Sequence, residues 1–213
     1  MTNNDNGIGF YSSRGKHGCF SNFSRHPITM DGKAYPTSEH YYQSKKYEGT
    51  KYEEQVRLTK GPKAAAKLGR DRTLPFRKDW NDVKDVVMYR ALEAKFEQHP
   101  TCRQTLIDTG DVRLFEDSPI DPYWGIGKSG NGKNMMGVLL MSLRKHIRLK
   151  EHYKKCDVCR RMCGDAKTSL KEDALGTALT PAAAIANFKG RCEVGKDLFI
   201  KAWSADGREA AQE

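Results

Sequence analysis

The sequence predicts an α+β fold: a mainly helical single domain with a small antiparallel sheet. Apolar residues recur at three- and four-residue spacing through Trp80–Gln98, which is typical of a helix with one buried face. The dipeptide Asp31-Gly32 separates two short apolar segments, Pro27–Met30 and Lys33–Tyr35, and so predicts a hairpin. No internal repeat is visible, so a solenoid is not indicated.

Start and stop signals place the other elements. Hydroxyls at Thr37 and Ser38 followed by Glu39 predict a helix that runs to about Tyr47. Asp79 is the predicted cap of Trp80–Gln98. The remaining predictions are strands at Ile8–Ser12 and Val112–Phe115 and helices at Tyr52–Thr59, Lys63–Leu68, Cys102–Asp108 and Met135–Ile147. Inward-facing residues are predicted at Val83, Val87, Ala91, Ala94, Val138, Leu139 and Leu143.

The regular pattern fades near residue 150, which predicts a domain at 8–149 and a cysteine-containing, partly disordered extension at 150–213. The extension holds Cys156, Cys159, Cys163 and Cys192. Four thiolates suit zinc, but only the first pair has finger-like spacing. We therefore expect a reduced tail and no metal site, with zinc as the alternative.

Charge is concentrated in the first part of the chain. Residues 1–150 hold 26 Lys and Arg against 17 Asp and Glu, a net charge of +9, out of +10 for the whole chain. This excess suits a polyanion or a phosphate-bearing ligand, although a solvated basic surface is the simpler interpretation. The N-terminus has no apolar signal region and no segment is apolar enough to span a membrane, so a cytoplasmic or nuclear protein with no membrane partner is expected.

The glycine-rich segment Trp124–Asn134 resembles two nucleotide motifs without completing either. Its GxGxxG pattern lacks a preceding buried strand and a βαβ unit. Its near-match to a phosphate-binding GxxxxGK loop places Asn134 where magnesium binding needs a hydroxyl. Exposed backbone N–H groups, Lys133 and a following helix start still predict anion binding, with a flexible surface turn as the alternative.

Glu39, Gln43 and Lys46 lie one or two turns apart on the helix that begins near Thr37. A carboxylate, an amide and an amine on one face can hold a sugar and move its protons. Periodicity alone favours a solvated polar face instead. His40 has no His or Cys one turn away, so a packing role is expected rather than metal binding.

A series of short motifs resembles the NADAR family. The matching segments occur in family order over about Ile8–Ile147: Cys19–Phe23, Asp31–Lys33, Pro36–Gln43 with Lys46, Ala65–Arg72, Arg77–Trp80, Ala94–Phe96, Asp121–Gly125 and Gly132–Asn134. The resemblance implies the compact, mostly helical NADAR fold and an N-glycosidase activity. Members act on phosphoribosyl intermediates of riboflavin synthesis or remove ADP-ribose from guanine in nucleic acids, and no metal or redox cofactor is implied.

The resemblance also implies roles for individual residues. Glu39 takes the position of the catalytic carboxylate, and Lys46 and Asp121 match further functional positions. Lys45 stands where the family commonly has Gln, so either lysine is a candidate for the reacting amine. The predicted ligand-binding residues are Ser21, Asn22, Gln43, Gly69, Arg70, Trp80, Tyr123, Trp124, Gly125, Lys133 and Asn134.

Three functions remain open from the sequence. The basic charge favours an N-glycosidase that removes ADP-ribose from guanine in DNA or RNA, with Glu39 as acid/base and Lys46 as a Schiff-base nucleophile. The second is an N-glycosidase of phosphoribosyl riboflavin-pathway intermediates. The third is a non-catalytic module that binds ADP-ribose or nucleic acid. The sequence indicates no oligomeric state.

Overall fold

The computed structural model describes residues 7–156. The chain divides into two compact units, Met1–Leu143 and Arg144–Glu213, and every predicted site residue belongs to the first. In the described part, four strands and six α-helices follow one another: β1 Gly7–Phe10, β2 Ile28–Met30, β3 Lys33–Tyr35, α1 Ser38–Ser44, α2 Lys51–Arg57, α3 Pro62–Leu68, α4 Trp80–Gln98, α5 Pro100–Ile107, β4 Arg113–Glu116 and α6 Met135–Lys155. The mainly helical α+β prediction is confirmed.

Strands β2 and β3 form the predicted antiparallel hairpin, with Ile28 opposite Tyr35. Both turn residues have positive φ, 52° at Asp31 and 73° at Gly32, as a type I′ turn requires. Strands β1 and β4 form a second pair, which is parallel and places Phe10 opposite Glu116. This parallel pair joins segments far apart in the chain, and no local signal in the sequence indicates it.

Helix α1 is buried on all sides. Thr37 caps it by accepting the His40 N–H at 3.4 Å. This hydrogen bond satisfies one of the first-turn N–H groups that have no partner within the helix. All seven residues from Ser38 to Ser44 are buried, because α2, α3, α4 and β3 pack around the helix. The chain continues as a 3₁₀ turn at Lys45–Tyr47.

The layer beneath α1 is an apolar cluster formed where α2 and α3 meet. Tyr47, Val56 and Ala65 are fully buried, and partly buried side chains of Tyr52, Leu68, Leu74 and Phe76 pack against them. Pro62 occupies the first turn of α3, where its missing N–H costs no helical hydrogen bond. The following segment passes beside α1 and carries two predicted site residues, Gly69 and Arg70.

Helix α4 has the predicted bounds, Trp80–Gln98, and buries Val87, Ala91 and Ala94 as expected. The predicted cap is wrong in its chemistry. The Asp79 side chain makes no capping hydrogen bond, because both of its oxygens accept from the Arg77 guanidinium at 2.7 and 2.8 Å. A bidentate pair between the carboxylate and the guanidinium is stronger than a single hydrogen bond from a backbone N–H to the carboxylate.

Helix α6 extends further than predicted, to Lys155. Its buried face up to the end of the first unit consists of Met136, Leu140 and Leu143. Val138 was predicted to face inward but is 37% exposed, whereas Leu143 is buried as predicted. No helix in residues 7–156 is both long and apolar enough to cross a bilayer. Cys159, Cys163 and Cys192, with most of the predicted extension, lie outside the described residues.

Candidate active site

Two buried side chains of α1, Glu39 and Gln43, lie near that of Lys46, which comes from the 3₁₀ turn after α1. The three side chains are 6%, 5% and 8% exposed, so the solvated-face interpretation is wrong. Gln43 Nε2 donates to Glu39 Oε1 at 2.7 Å. Lys46 Nζ donates to the Gly69 carbonyl at 3.0 Å. The helix and the turn after it thus present a carboxyl and an amine in a dry environment, as acid–base chemistry at neutral pH needs.

The segment before the hairpin holds the start of α1. The Asn22 carbonyl accepts the Glu39 N–H at 3.3 Å, and Asn22 Oδ1 accepts from Ser38 Oγ at 3.0 Å. Ser21 Oγ accepts the Phe23 N–H. The backbone of Asn22 therefore contacts the backbone of Glu39, the predicted catalytic residue. The side chains of Asn22 and Ser21 form hydrogen bonds to other protein groups.

Gly69 allows α1 and α3 to approach closely. Its φ of −67° is ordinary, but a Cβ there would lie 2.0 Å from Gln43 Oε1. Any side chain would therefore collide with the amide that binds Glu39. The exposed Arg70 follows at once and borders a surface cavity of about 380 Å³ that is lined by Ala64, Lys67, Leu68, Arg70 and Asp71.

Aromatic rings surround the Lys46 ammonium and continue to the glycine-rich loop. Lys46 Nζ lies 5.4 Å from the Tyr42 ring centre and 5.5 Å from that of Trp80. The Tyr42 ring packs edge-on against Trp124 at 5.5 Å. Trp124 in turn contacts Tyr123 at 5.2 Å. This row of rings joins α1, α4 and the loop. Tyr42 and Trp80 are buried, so only the partly exposed rings of Tyr123 and Trp124 are placed to stack on a base or sugar.

The loop begins with Asp121, whose carboxylate organises the turn. Its Oδ1 accepts the N–H groups of Tyr123 and Trp124, each at 2.9 Å. Its own N–H donates to Ser118 Oγ at 3.1 Å. Gly125 is buried in this turn, and a Cβ there would lie 2.6 Å from the Glu116 carbonyl. Asp121 thus sets the positions of Tyr123 and Trp124.

The N–H groups at the start of α6 do not form the predicted cradle for an anion. The N–H groups of Lys133, Asn134, Met135 and Met136 donate to the carbonyls of residues 122, 125, 123 and 124, at 2.7 to 3.1 Å. The loop folds back over the start of α6, so its own carbonyls occupy the N–H groups that an anion would need. Sequence shows the glycines that permit this fold, but not the direction in which the loop turns.

Asn134 and Lys133 end the loop in different environments. Asn134 is buried with φ of 51°, and its amide donates to the Leu114 carbonyl and accepts the Glu116 N–H, each at 2.9 Å. Both of its polar side-chain atoms therefore bind β4. Lys133 is exposed and lies 5.3 Å from the Tyr123 ring centre. Of the two predicted ligand contacts, Lys133 keeps its ammonium at the surface, whereas the Asn134 amide is used inside the protein.

A family model for the NADAR domain matches residues 9–148 of this chain. The chain belongs to the NADAR family. Among its relatives is N-glycosidase YbiA of Escherichia coli, 48% identical over 144 residues that cover 68% of this chain and 90% of the relative. An N-glycosidase of Nostoc punctiforme is 42% identical over 144 residues, or 66% of this chain and 92% of the relative.

Two further comparisons bear on fold and pathway. The NMR structure of Escherichia coli YbiA matches with a TM-score of 0.65 at 48% identity, over 69% of this chain and 88% of that one. A maize chloroplastic protein named riboflavin biosynthesis protein PYRR is 41% identical over 155 residues, which are 66% of this chain and 25% of the maize protein. The names of these NADAR relatives support an N-glycosidase activity in general.

Opposing effects act on the Glu39 carboxyl of this NADAR domain. Burial raises its pKa above the ordinary value, and the Asp121 carboxylate adds to the rise. The Gln43 hydrogen bond and the charges of Lys46 and Arg70 oppose that rise. Glu39 is thus a desolvated carboxyl whose anion has a donor and two cations nearby, which suits a group that accepts and returns a proton.

The two adjacent lysines differ in charge state. Burial lowers the pKa of Lys46 to about 8, with Arg72 and Arg70 adding to the effect of burial and Glu39 opposing it. Burial also acts on Lys45, but its hydrogen bonds to Glu48 and Glu53 prevail and raise its pKa. The Lys45 ammonium lies 2.9 and 3.1 Å from those carboxylates. Only Lys46 has an appreciable neutral fraction near neutral pH.

Glu116, at the end of β4, is a site residue that the sequence analysis missed. Its Oε2 is buried and has no hydrogen-bond partner. Burial, together with the smaller effects of the Asp121 and Glu39 carboxylates, raises its pKa to about 7. The residue lies between Phe115 and Asp117 in a strand that shows no clear alternation, so the only available signal was an acid at a strand end just before the predicted loop. Among residues 7–156, no three His, Cys, Asp or Glu groups are arranged to hold a metal ion.

Proposed function

We propose that this chain is an N-glycosidase that removes ADP-ribose from guanine bases of nucleic acid, with Glu39 and Lys46 in the chemical step. One observation carries the proposal: a buried carboxyl of α1 and a buried amine of lowered pKa from the turn that follows α1 lie close together beside aromatic rings. A structural ion pair would not need the aromatic rings, and a binding module would not need an amine with a neutral fraction.

The bond to be broken joins the anomeric carbon of ribose to a base nitrogen. As that bond lengthens, positive charge develops on the sugar, and a carboxylate in a dry site stabilises this charge. Glu39 meets the requirement because it is 6% exposed and its anion is supported by Gln43 and Lys46. In the direct route, Glu39 takes a proton from water as the water attacks the anomeric carbon.

Lys46 offers a covalent route. Its neutral amine attacks the anomeric carbon, the base leaves with a proton, and the sugar ring opens to give a Schiff base between Lys46 and the anomeric carbon. Water then adds to the imine, and the amine leaves as free ADP-ribose forms. Glu39 relays the protons in both halves. The ring stack around Lys46 excludes water and keeps part of the amine unprotonated.

Charge supports a nucleic-acid substrate. Residues 1–150 carry a net +9, and a basic group, Arg70, with Lys67 beside it, lines the surface cavity next to Gly69. Phosphates of ADP-ribose or of the nucleic-acid backbone would bind there, since the helix start of α6 is occupied by loop carbonyls. Tyr123 and Trp124 are suited to stack against a base.

A second substrate class is favoured by one observation. The maize relative is named a riboflavin biosynthesis protein, and it is 41% identical over 66% of this chain. A phosphoribosyl pyrimidine intermediate has the same ribose–nitrogen bond and one phosphate. The same Glu39 and Lys46 chemistry applies to it.

The test is incubation of the protein with two substrates in parallel: single-stranded DNA ADP-ribosylated on guanine, and the phosphoribosyl pyrimidine intermediate. Release of ADP-ribose from the DNA alone selects the proposed substrate. Base release from the pyrimidine alone selects the second class. Tight binding of ADP-ribose without release of either product refutes the enzyme and leaves a binding module.

A further inference from the structure

Three carboxyl groups of the site act on one another, and one of them has no stabilising partner. The electrostatic influence of Asp121 and Glu39 raises the pKa of Glu116, in addition to the effect of burial. Glu39 has an amide donor and two nearby cations, and Asp121 accepts two backbone N–H groups. Glu116 Oε2 has no hydrogen bond although it is buried. Of the three, Glu116 is the one with a buried oxygen that lacks a donor, and burial raises its pKa to about 7.

We infer that Glu116 is a further catalytic residue of this site, the general acid that protonates the departing base nitrogen. The inference rests on the proposed N-glycosidase function. A base leaves the anomeric carbon as a poor anion unless a proton reaches its nitrogen as the bond breaks. A carboxyl group that keeps its proton near neutral pH can provide it, and the pair Glu116 and Glu39 then divides the acid and base roles.

The backbone around Glu116 is rigid, which an acid in this role requires. Its N–H donates to Asn134 Oδ1 at 2.9 Å and its carbonyl accepts the Ile126 N–H at 2.9 Å. It lies at the last position of the parallel pair, opposite Phe10. The strand therefore fixes the Cα, while the carboxyl oxygen Oε2 has no hydrogen-bond partner.

The charged groups around Glu116 are few. β1, Gly7–Phe10, has no titratable side chain, and neither does α6 from Met135 to Leu143. From α1 it faces Glu39, and from the loop it faces Asp121. Lys46 and Arg70 act on Glu39. Binding of an anionic ligand near Arg70 adds negative charge to this neighbourhood, which strengthens the hold of Glu116 on its proton.

The proton balance of the step is simple. Glu116 gives its proton to the base nitrogen as the carbon–nitrogen bond breaks and becomes a carboxylate. Glu39 takes a proton from the attacking water, or from the Lys46 amine in the covalent route. Exchange with solvent after product release returns a proton to Glu116 and removes one from Glu39. No oxidant, metal or further co-reactant is needed.

The kinetic test compares Glu116→Gln with Asp117→Asn on the substrate that the wild-type enzyme cleaves. Gln keeps the shape and removes the proton, so kcat should fall by roughly 10²–10⁴-fold, with KM within a few-fold of wild type. Wild-type kcat should decrease above about pH 7, as Glu116 loses its proton. This alkaline decrease should be absent in Glu116→Gln. Asp117, exposed one residue further on, controls for loss of one negative charge and should keep both kcat and the alkaline fall.

A direct titration separates this inference from the proposed function. Carboxyl-labelled glutamate observed by ¹³C NMR should show a resonance that titrates near pH 7 in the wild-type protein and is missing in Glu116→Gln. Titration of Glu116 near the ordinary ~4.3, or wild-type kcat with an unchanged pH profile in Glu116→Gln, overturns the inference. If the wild-type protein releases no base from either substrate, the N-glycosidase proposal fails and the acid role fails with it. The NMR titration would still decide whether Glu116 holds a proton at neutral pH.

Discussion

Gln43 donates a 2.7 Å hydrogen bond to Glu39 from one turn further along α1. The bond orients the carboxyl, and it leaves Gln43 Oε1 buried and without a partner. That oxygen packs where Gly69 has no side chain. Because the Gly69 carbonyl also accepts from Lys46, one glycine positions both an amide and an amine of the site.

Gly69→Ala should therefore impair activity more than stability. The new methyl would lie 2.0 Å from Gln43 Oε1, so Gln43 must turn away and release Glu39. We expect kcat to fall at least tenfold, since misplacement of a reacting group by about 1 Å costs on the order of 100-fold. Gly61→Ala, at the other end of α3 with open space around it, is the matched control. Equal kcat in the two variants would contradict the positioning role.

Borohydride trapping distinguishes the covalent route from direct attack by water. Reduction of the wild-type protein during turnover should give a stable ADP-ribosyl adduct on Lys46, detected by mass spectrometry of peptides. Lys46→Ala should give none. Lys45→Met should still give it, because Lys45 is held as a cation by Glu48 and Glu53. Absence of an adduct in the wild type, or its survival in Lys46→Ala, removes the covalent route.

The dependence of kcat on pH below about 8 should also reflect the protonation of the Lys46 amine. Since the pKa of Lys46 is lowered to about 8, its neutral fraction increases as the pH rises through that value. In the covalent route, wild-type kcat should therefore increase above pH 6 until loss of the Glu116 proton, whose pKa is about 7, opposes the increase. Direct water attack predicts no such dependence on Lys46. A profile over pH 5.5–9 for the wild type and Lys45→Met, measured under saturating substrate, makes the comparison.

Glu116 should make stability depend on pH in a defined direction. Its folded pKa, about 7, lies above the ordinary ~4.3, so the folded state binds the extra proton between these values. Its contribution to stability is complete below pH ~4.3 and is lost as the pH rises through 7, by roughly 3–4 kcal/mol at ~1.4 kcal/mol per pH unit. Glu116→Gln should raise Tm over wild type at pH 8 but not at pH 4.5. An equal Tm difference at both values would contradict the raised pKa.

Asn134 should prove structural rather than a ligand contact. Its amide makes two hydrogen bonds to the β4 backbone, and its φ is positive, which Asn tolerates better than Ala. Asn134→Ala should lower the free energy of unfolding by roughly 2–4 kcal/mol, measured by urea titration. Asn131→Ala, on the exposed part of the same loop, should change it by less than about 0.5 kcal/mol. A stable Asn134→Ala protein with weakened ADP-ribose binding would restore the predicted ligand role.

The elements that sequence predicted best have local signals. Trp80–Gln98 is bounded by Pro100 beyond its end and shows a regular apolar spacing, and the structure has the same bounds. Asp31-Gly32 forms its turn because those residues accept positive φ. In both cases a few neighbouring residues determine the conformation.

The features that sequence missed depend on distant contacts. Periodicity placed Glu39, Gln43 and Lys46 on one face, but their burial depends on three other helices packing around α1. The loop N–H groups seemed available because glycine composition does not reveal the carbonyls to which they bond. Glu116 is brought to the site by a strand pair whose partners are far apart in the chain.

The Glu39→Gln variant tests the central claim most directly. Its side chain keeps the shape and the contact with Gln43 but cannot accept the proton from water or from Lys46. On the substrate that wild-type protein cleaves, kcat should fall by roughly 10²–10⁴-fold, while ADP-ribose binding measured by calorimetry remains within a few-fold of wild type. A Glu39→Gln protein that releases product at the wild-type rate would contradict the assignment of this buried helix face as the active site.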